Sequence, residues 1–139
     1  MPDRYNLERF VAAQDGVYAS VVKELELGWK RGHWMWFVFP QIAGLGHSAT
    51  AQKYAIGSRA EAAAYLAHPV LGPRLRECTA LINAIEGRDI RTILGYPDDL
   101  KFKSCMTLFA SVADDKALFL AALDKYYEGQ QDELTLARL

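Results

Sequence analysis

Helix start and stop signals recur along almost the whole chain and leave little room for a sheet. Leu71, Leu75, Cys78, Ile82 and Ile85 step by four and three, which lays them along one face of a helix as a continuous core seam. Ser58 followed by Glu61 is a capping box. It opens an alanine-rich helix that stops at His68-Pro69, because the residue before a proline is driven out of helical conformation. Pro73 starts the seam helix, and Asp89 caps a short turn that ends at Gly95. Pro97-Asp98 opens a further helix with Phe102, Cys105, Met106 and Phe109 inward. Asp114 caps one carrying Leu118, Ala122, Leu123 and Tyr126, closed by Gly129, and Asp132 caps a last turn. Upstream, Asn6 is expected to cap a helix over residues 7–13. Asp15 is expected to cap another, with Val17, Val21, Leu25 and Trp29 as its stripe, Lys30 and Arg31 near its end and Gly32 just beyond. Ser48 caps a short helix through Tyr54.

No segment alternates apolar and polar residues between turn signals. Only residues 36–39 have strand composition, and one strand cannot make a sheet. The expectation is an all-α chain: a single compact multi-helical domain over residues 1–139 with an irregular aromatic-rich central segment. Its short connections make neighbouring helices mostly antiparallel. A chain of 139 residues, 51% of them hydrophobic, is long enough to bury a core without staples. A formal net charge of -1 provides no field for nucleic acid or an anionic membrane, so neither is an expected partner. Cys78 and Cys105 are the only cysteines; without metal-ligand or redox spacing they read as buried hydrophobes. Met1 to Asn6 lacks the apolar core of a leader, and no apolar run is long enough to span a bilayer, so a cytoplasmic location is expected.

The central segment, His33-Trp34-Met35-Trp36-Phe37-Val38-Phe39-Pro40-Gln41, is the first candidate site. All three tryptophans lie between Trp29 and Trp36, with Lys30, Arg31 and His33 before the apolar run and Gln41 and Gly44-Leu45-Gly46 after it. Trp34 and Trp36 could stack a planar ring while Lys30, Arg31 or His33 meets a phosphate or carboxylate. The competing reading is that the rings face the core and the cations merely finish a helix. Ser48 opens a helix, where free backbone N–H groups favour an anion or simply an N-cap. Arg74 lies near a helix start, where the dipole disfavours a cation unless a carboxylate or ligand phosphate answers it. Lys101 and Ser104 are three apart on one helix face; they read as an anion contact, a solvated face or, least of all, a nucleophile and base. Asp98 and Asp99 sit where carboxylates suit a helix start. No P-loop, G-x-G-x-x-G, H-E-x-x-H or G-x-S-x-G occurs, and no metal or cofactor is expected.

Three blocks carry a resemblance. They are His33-Trp34-Met35-Trp36-Phe37 with Phe39-Pro40-Gln41 and Gly44-Leu45-Gly46; Tyr65-Leu66 through His68-Pro69-Val70-Leu71-Gly72 to Arg74-Leu75; and Asp98-Asp99-Leu100-Lys101 with Ser104 and Met106-Thr107-Leu108-Phe109. Together they resemble the bacterial domain-of-unknown-function 1810 family, often labelled calpastatin. The resemblance spans nearly the whole chain and implies a small multi-helical cytosolic fold with no established activity. The calpastatin label fits poorly, since an inhibitor of that kind is disordered and this composition builds a core. Phe39-Pro40, Ser48 and Ala51-Gln52-Lys53-Tyr54 also lie in an order similar to the superfamily associated with NAD and ADP-ribose, exemplified by riboflavin-pathway N-glycosidases. That superfamily carries Ser-Glu-His where this chain has Ser48-Ala49-Thr50, which puts hydrolysis in doubt more than binding.

The function expected from these features is binding of a nucleotide-like or phosphorylated small molecule at an aromatic and basic pocket, with N-glycosidase-like hydrolysis as its enzymatic extension. The alternative is an interaction or homodimerisation module that uses the aromatic run as an exposed patch. Monomer and homodimer are both compatible with the sequence.

Overall fold

The computed structural model describes residues 3–139; Met1 and Pro2, which open the segment read as lacking a leader core, lie outside the described residues. The described residues form ten helices and no strand. These are α1 (Glu8–Asp15), α2 (Tyr18–Leu27), α3 (Met35–Val38), α4 (Ala49–Lys53), α5 (Arg59–Ala67), α6 (Leu71–Asn83), α7 (Ile90–Leu94), α8 (Asp98–Val112), α9 (Ala117–Tyr127) and α10 (Glu133–Leu136).

α8 is the axis of the domain. Phe102 and every residue from Ser104 to Ala110 are buried, so this helix is covered all round rather than on one stripe. α5, α7, α9 and α10 pack on it, while α6 sits among α2, α5 and α9. Rings tie the layers together. Phe10 meets Tyr65 edge-on at 5.1 Å, Tyr65 lies 5.4 Å from Phe109, and Phe39 meets Phe102 edge-on at 5.0 Å. The α6 seam is buried as expected at Leu71, Leu75, Cys78 and Ile82. α6 approaches α5 so closely that a Cβ on Gly72 would lie 2.1 Å from the Leu66 carbonyl oxygen.

Most caps form where the sequence places them. Ser48, Ser58, Asp89 and Asp132 each accept a backbone N–H from the residue three positions on. Other boundaries differ: α2 opens after Val17 with no side-chain cap, since Asp15 belongs to the end of α1, and α6 begins at Leu71, two residues before Pro73. α1 is started by Asp3, whose carboxylate accepts the N–H groups of Leu7 and Glu8, while Asn6 is itself in the left-handed region at φ 52°. α2 ends at Gly28 (φ 75°) rather than Gly32. The Trp29 N–H closes back on Glu24 O, and Trp29 leaves the stripe to stand 54% exposed. At α9, Asp115 rather than Asp114 meets the first helical N–H, and Phe119 takes the fully buried position while Leu118 is half-buried. The central segment is less irregular than expected: Met35–Val38 makes one helical turn that buries Met35 and Val38.

After that turn the chain makes an excursion whose two ends are joined by a single parallel bridge. Ala43 donates to Ile56 O and Ile56 donates to Gln41 O, each at 2.8 Å. Arg9 fastens the outer side, donating to the carbonyls of Lys53 and Ala55 and to Glu61, each at 2.8 Å. The excursion, with α4 inside it, is therefore a fixed wall against the start of α8.

Candidate functional site

A single carboxylate holds the lead-in to the aromatic segment. Glu24 Oε1 accepts the N–H of Arg31 at 2.7 Å, the N–H of Gly32 at 2.9 Å and the indole N–H of Trp34 at 3.0 Å. Burial pushes the Glu24 carboxyl up, but these three donors and the nearby Lys30 ammonium outweigh it and hold it below its ordinary value. A group lowered by folding stabilises fully above its unfolded pKa, near ~4.3, and loses that contribution as pH falls through the folded value. Glu24→Gln is therefore expected to cost about 1 kcal/mol at pH 7, and the gap to the unaltered protein to narrow as pH falls below the ordinary carboxylate range. Thermal unfolding followed from pH 7 to pH 3 checks this; parallel curves would assign the acid sensitivity to other carboxylates.

The residues singled out from the sequence separate into two groups. Trp34 is 3% exposed and packs toward Phe39, with the Lys30 ammonium 5.1 Å from its ring centroid, so it faces the core rather than a ligand. Lys30 is buried with it and pairs with Asp98 at 2.8 Å. Arg31 lies over the ring of Trp29, and His33 is exposed. Arg74, the cation at a helix start, is answered by Asp15 at 3.1 Å and rests on the Tyr18 ring. None of these five lines the cavities described next.

Trp36, Gln41, Lys101 and Ser104 do converge. Trp36 and Gln41 line a cavity of about 130 Å³ inside the excursion, with Gly44, Gln52 and Tyr54 on its other sides. A second cavity of about 360 Å³ lies across the shared wall of Gln41, Gly46 and Ala51, and is bounded by Lys101, Ser104 and Asp132. The Lys101 ammonium stands 4.7 Å from the Trp36 ring centroid and joins the two spaces. Among the described residues, the Trp36 indole N–H, the Gln41 amide and the Tyr54 hydroxyl make no hydrogen bond within the protein, so their donors and acceptors remain available. Ser48 lies outside both cavities, and its hydroxyl is an ordinary cap for a five-residue helix.

The charge balance follows from one carboxylate. Asp98 takes Lys30 on Oδ2 at 2.8 Å and Lys101 on Oδ1 at 3.2 Å. Two ammonium groups share one carboxylate, and the outer one, Lys101, borders the cavity across from the Asp132 carboxylate. Local pattern gives Asp98 and Asp99 only a helix-start role; the sharing of Asp98 between Lys30, 68 positions away, and Lys101, 3 positions away, is set by the tertiary fold.

Several reactions lose their agents. The Ser104 hydroxyl is oriented by Leu100 O and Asp132 Oδ2, each at 3.2 Å, and Lys101 is engaged by Asp98, so the two do not form a nucleophile and base. Burial pushes the Cys78 thiol up to about 12 and Cys105 well above its ordinary value, so neither supplies a thiolate at neutral pH. Among the described residues no three His, Cys, Asp or Glu side chains are grouped to hold a metal, and no helix is long and apolar enough to cross a membrane.

Sequence reasoning missed two lining residues and one residue packed behind the wall. Gln52 and Tyr54 stand out in the sequence only within a resemblance block, yet both line the smaller cavity. Arg138, near the C-terminal end, packs its guanidinium on Gly44 from 94 positions away, and no local signal marks it.

Comparison with known proteins agrees with the fold and is silent on activity. No curated protein matches the chain. The crystal structure of the conserved hypothetical protein Rv1873 from Mycobacterium tuberculosis is similar over 99% of this chain and 98% of that one, at 58% identity and a TM-score of 0.98. The family model described as "Protein of unknown function (DUF1810)" matches residues 4–139. On that match, which takes in every element from α1 to α10, the chain belongs to the DUF1810 family of proteins of unknown function.

Proposed function

We propose that this protein binds a small molecule made of a planar, hydrogen-bonding ring and an anionic substituent, a nucleotide-like or phosphorylated metabolite. The observation that carries the reading is the cavity lined by Trp36, Gln41 and Tyr54 with the Lys101 ammonium of the Lys30–Asp98–Lys101 cluster at its edge. A cavity of about 130 Å³ is close to the ~150 Å³ that accepts one benzene ring. The adjoining space of about 360 Å³ gives room for the rest of the molecule, within the usual size of ligand sites. Unpaired amide and hydroxyl groups favour a ring with its own donors and acceptors over a plain hydrocarbon. The reading stops at binding. Ala49 stands where the N-glycosidase superfamily has its glutamate, and Ser104 and Lys101 are engaged elsewhere.

The alternative, an exposed aromatic patch for a partner, has less support, since Trp34, Met35, Val38 and Phe39 of the run are buried. Titration with ADP-ribose, NAD and inorganic phosphate, followed by tryptophan fluorescence, tests the proposal. At least one organic ligand is expected to give a saturable change that Trp36→Phe removes and Trp29→Phe retains. No response from any of the three in the unaltered protein overturns it.

A further inference from the structure

Gly44 sits at φ 98°, in the region that favours glycine, and it also leaves space that another residue would fill. A Cβ there would lie 2.3 Å from one terminal nitrogen of Arg138 and 2.6 Å from its central carbon, so the guanidinium lies directly against the loop that walls the smaller cavity. The chain leading to it is well anchored. Asp132 donates its N–H to Thr107 Oγ1 at 2.8 Å and accepts from Ser104 and Thr135, and Thr135 is fully buried three residues before Arg138. The Arg138 side chain is exposed. Among the described residues it has neither ion pair nor hydrogen bond, so its five donors are free beside the cavity wall.

We propose that Arg138 is the specificity-determining residue of this site, and that it selects ligands carrying a phosphomonoester on the ring-bearing molecule. This rests on the ligand-binding reading above and adds the chemical class of the anion. A planar fork presents two parallel donors that match phosphate oxygens, and Lys101 alone offers only a point charge already shared with Asp98.

The test compares uridine, nicotinamide riboside and adenosine with their 5′-monophosphates, by calorimetry or tryptophan fluorescence. In the unaltered protein the phosphorylated member of at least one pair is expected to bind more tightly. Arg138→Ala should weaken that member about tenfold, the worth of one charge-assisted hydrogen bond at a wet site, and leave the unphosphorylated member unchanged. Arg138→Lys should recover only part of the loss. Gly44→Ala should mimic Arg138→Ala by displacing the guanidinium; it also strains the loop, so the exposed Arg138 variant decides. Equal weakening of both members, or no weakening, overturns the role of Arg138 and leaves ring binding standing. Failure of every probe to bind the unaltered protein overturns both.

Discussion

Replacing Gly72 with alanine is expected to destabilise the fold by about 3 kcal/mol, lowering the melting temperature by roughly 10 °C for a domain of this size. The added Cβ would stand 2.1 Å from the Leu66 carbonyl oxygen and 3.0 Å from its carbon, and both belong to backbone, so no side chain can rotate away. The only relief is to part α5 from α6, and that opens the packing of Tyr65, Leu71 and Leu75, all fully buried or nearly so. The gain in helix propensity from glycine to alanine, about 1 kcal/mol, is too small to offset this. Gly16→Ala is the internal control. Gly16 has ordinary right-handed φ and nothing within 4 Å of its missing Cβ, so alanine there should be neutral or stabilise by up to about 0.5 kcal/mol. Denaturant melts of the two variants side by side check the argument. Equal stabilities would mean that the close approach of α5 and α6 relaxes at negligible cost.

Gly72 illustrates which parts of the fold can be read from sequence. Its neighbours Leu71 and Leu75 announce a helical seam, and Pro69 announces where the preceding helix stops, because both signals act within one or two turns of chain. The demand on Gly72 comes from the carbonyl of another helix, and nothing local records it. The same distinction runs through the candidate site. Trp34 and Trp36 are two apart, and on a helical turn residues so spaced point to nearly opposite sides. Once residues 35–38 are known to be a turn of helix, one ring in the core and the other at the cavity is what geometry requires. As irregular chain, the segment carries no such rule, and sequence alone leaves both rings equally available as a stacking platform. Local pattern makes Lys30 a cation finishing a helix, because Gly32 competes with the true stop, Gly28, as a C-terminal signal. Beyond that stop the chain turns inward along α7, where the Lys30 N–H donates to Ile93 O, and the side chain is carried to Asp98. Lys101 and Gln41 are separate polar candidates in the sequence, and their meeting across Gly46 and Ala51 is a product of the Ile42–Ile56 bridge.

Lys30→Met is expected to destabilise the protein by about 2–3 kcal/mol, somewhat below the 3–5 kcal/mol typical of a fully buried pair, because Asp98 keeps Lys101 as a second partner and some water. Methionine retains the apolar stem over Trp34, so the loss reports the ammonium: its pairing with Asp98, its hydrogen bond to Gly32 O at 2.5 Å and its contact with the indole face. Asp98→Asn alone should also destabilise, since it leaves the buried Lys30 without its counter-charge. The double variant should cost less than the sum of the two by at least 1 kcal/mol, and urea melts arranged as a double-mutant cycle measure that coupling. Additivity within about 0.5 kcal/mol would show that the pair is not energetically linked. The same variants have opposite expected effects on charge at the cavity. Lys30→Met removes one positive charge beside the cavity and leaves Lys101 alone on Asp98, whereas the double variant restores the original balance and frees Lys101. Binding of a phosphorylated probe should therefore weaken in Lys30→Met and return in Lys30→Met/Asp98→Asn, even though the double variant remains less stable than the unaltered protein. Affinity that instead follows stability across the three variants would mean that Lys30 supports the site only by holding the fold.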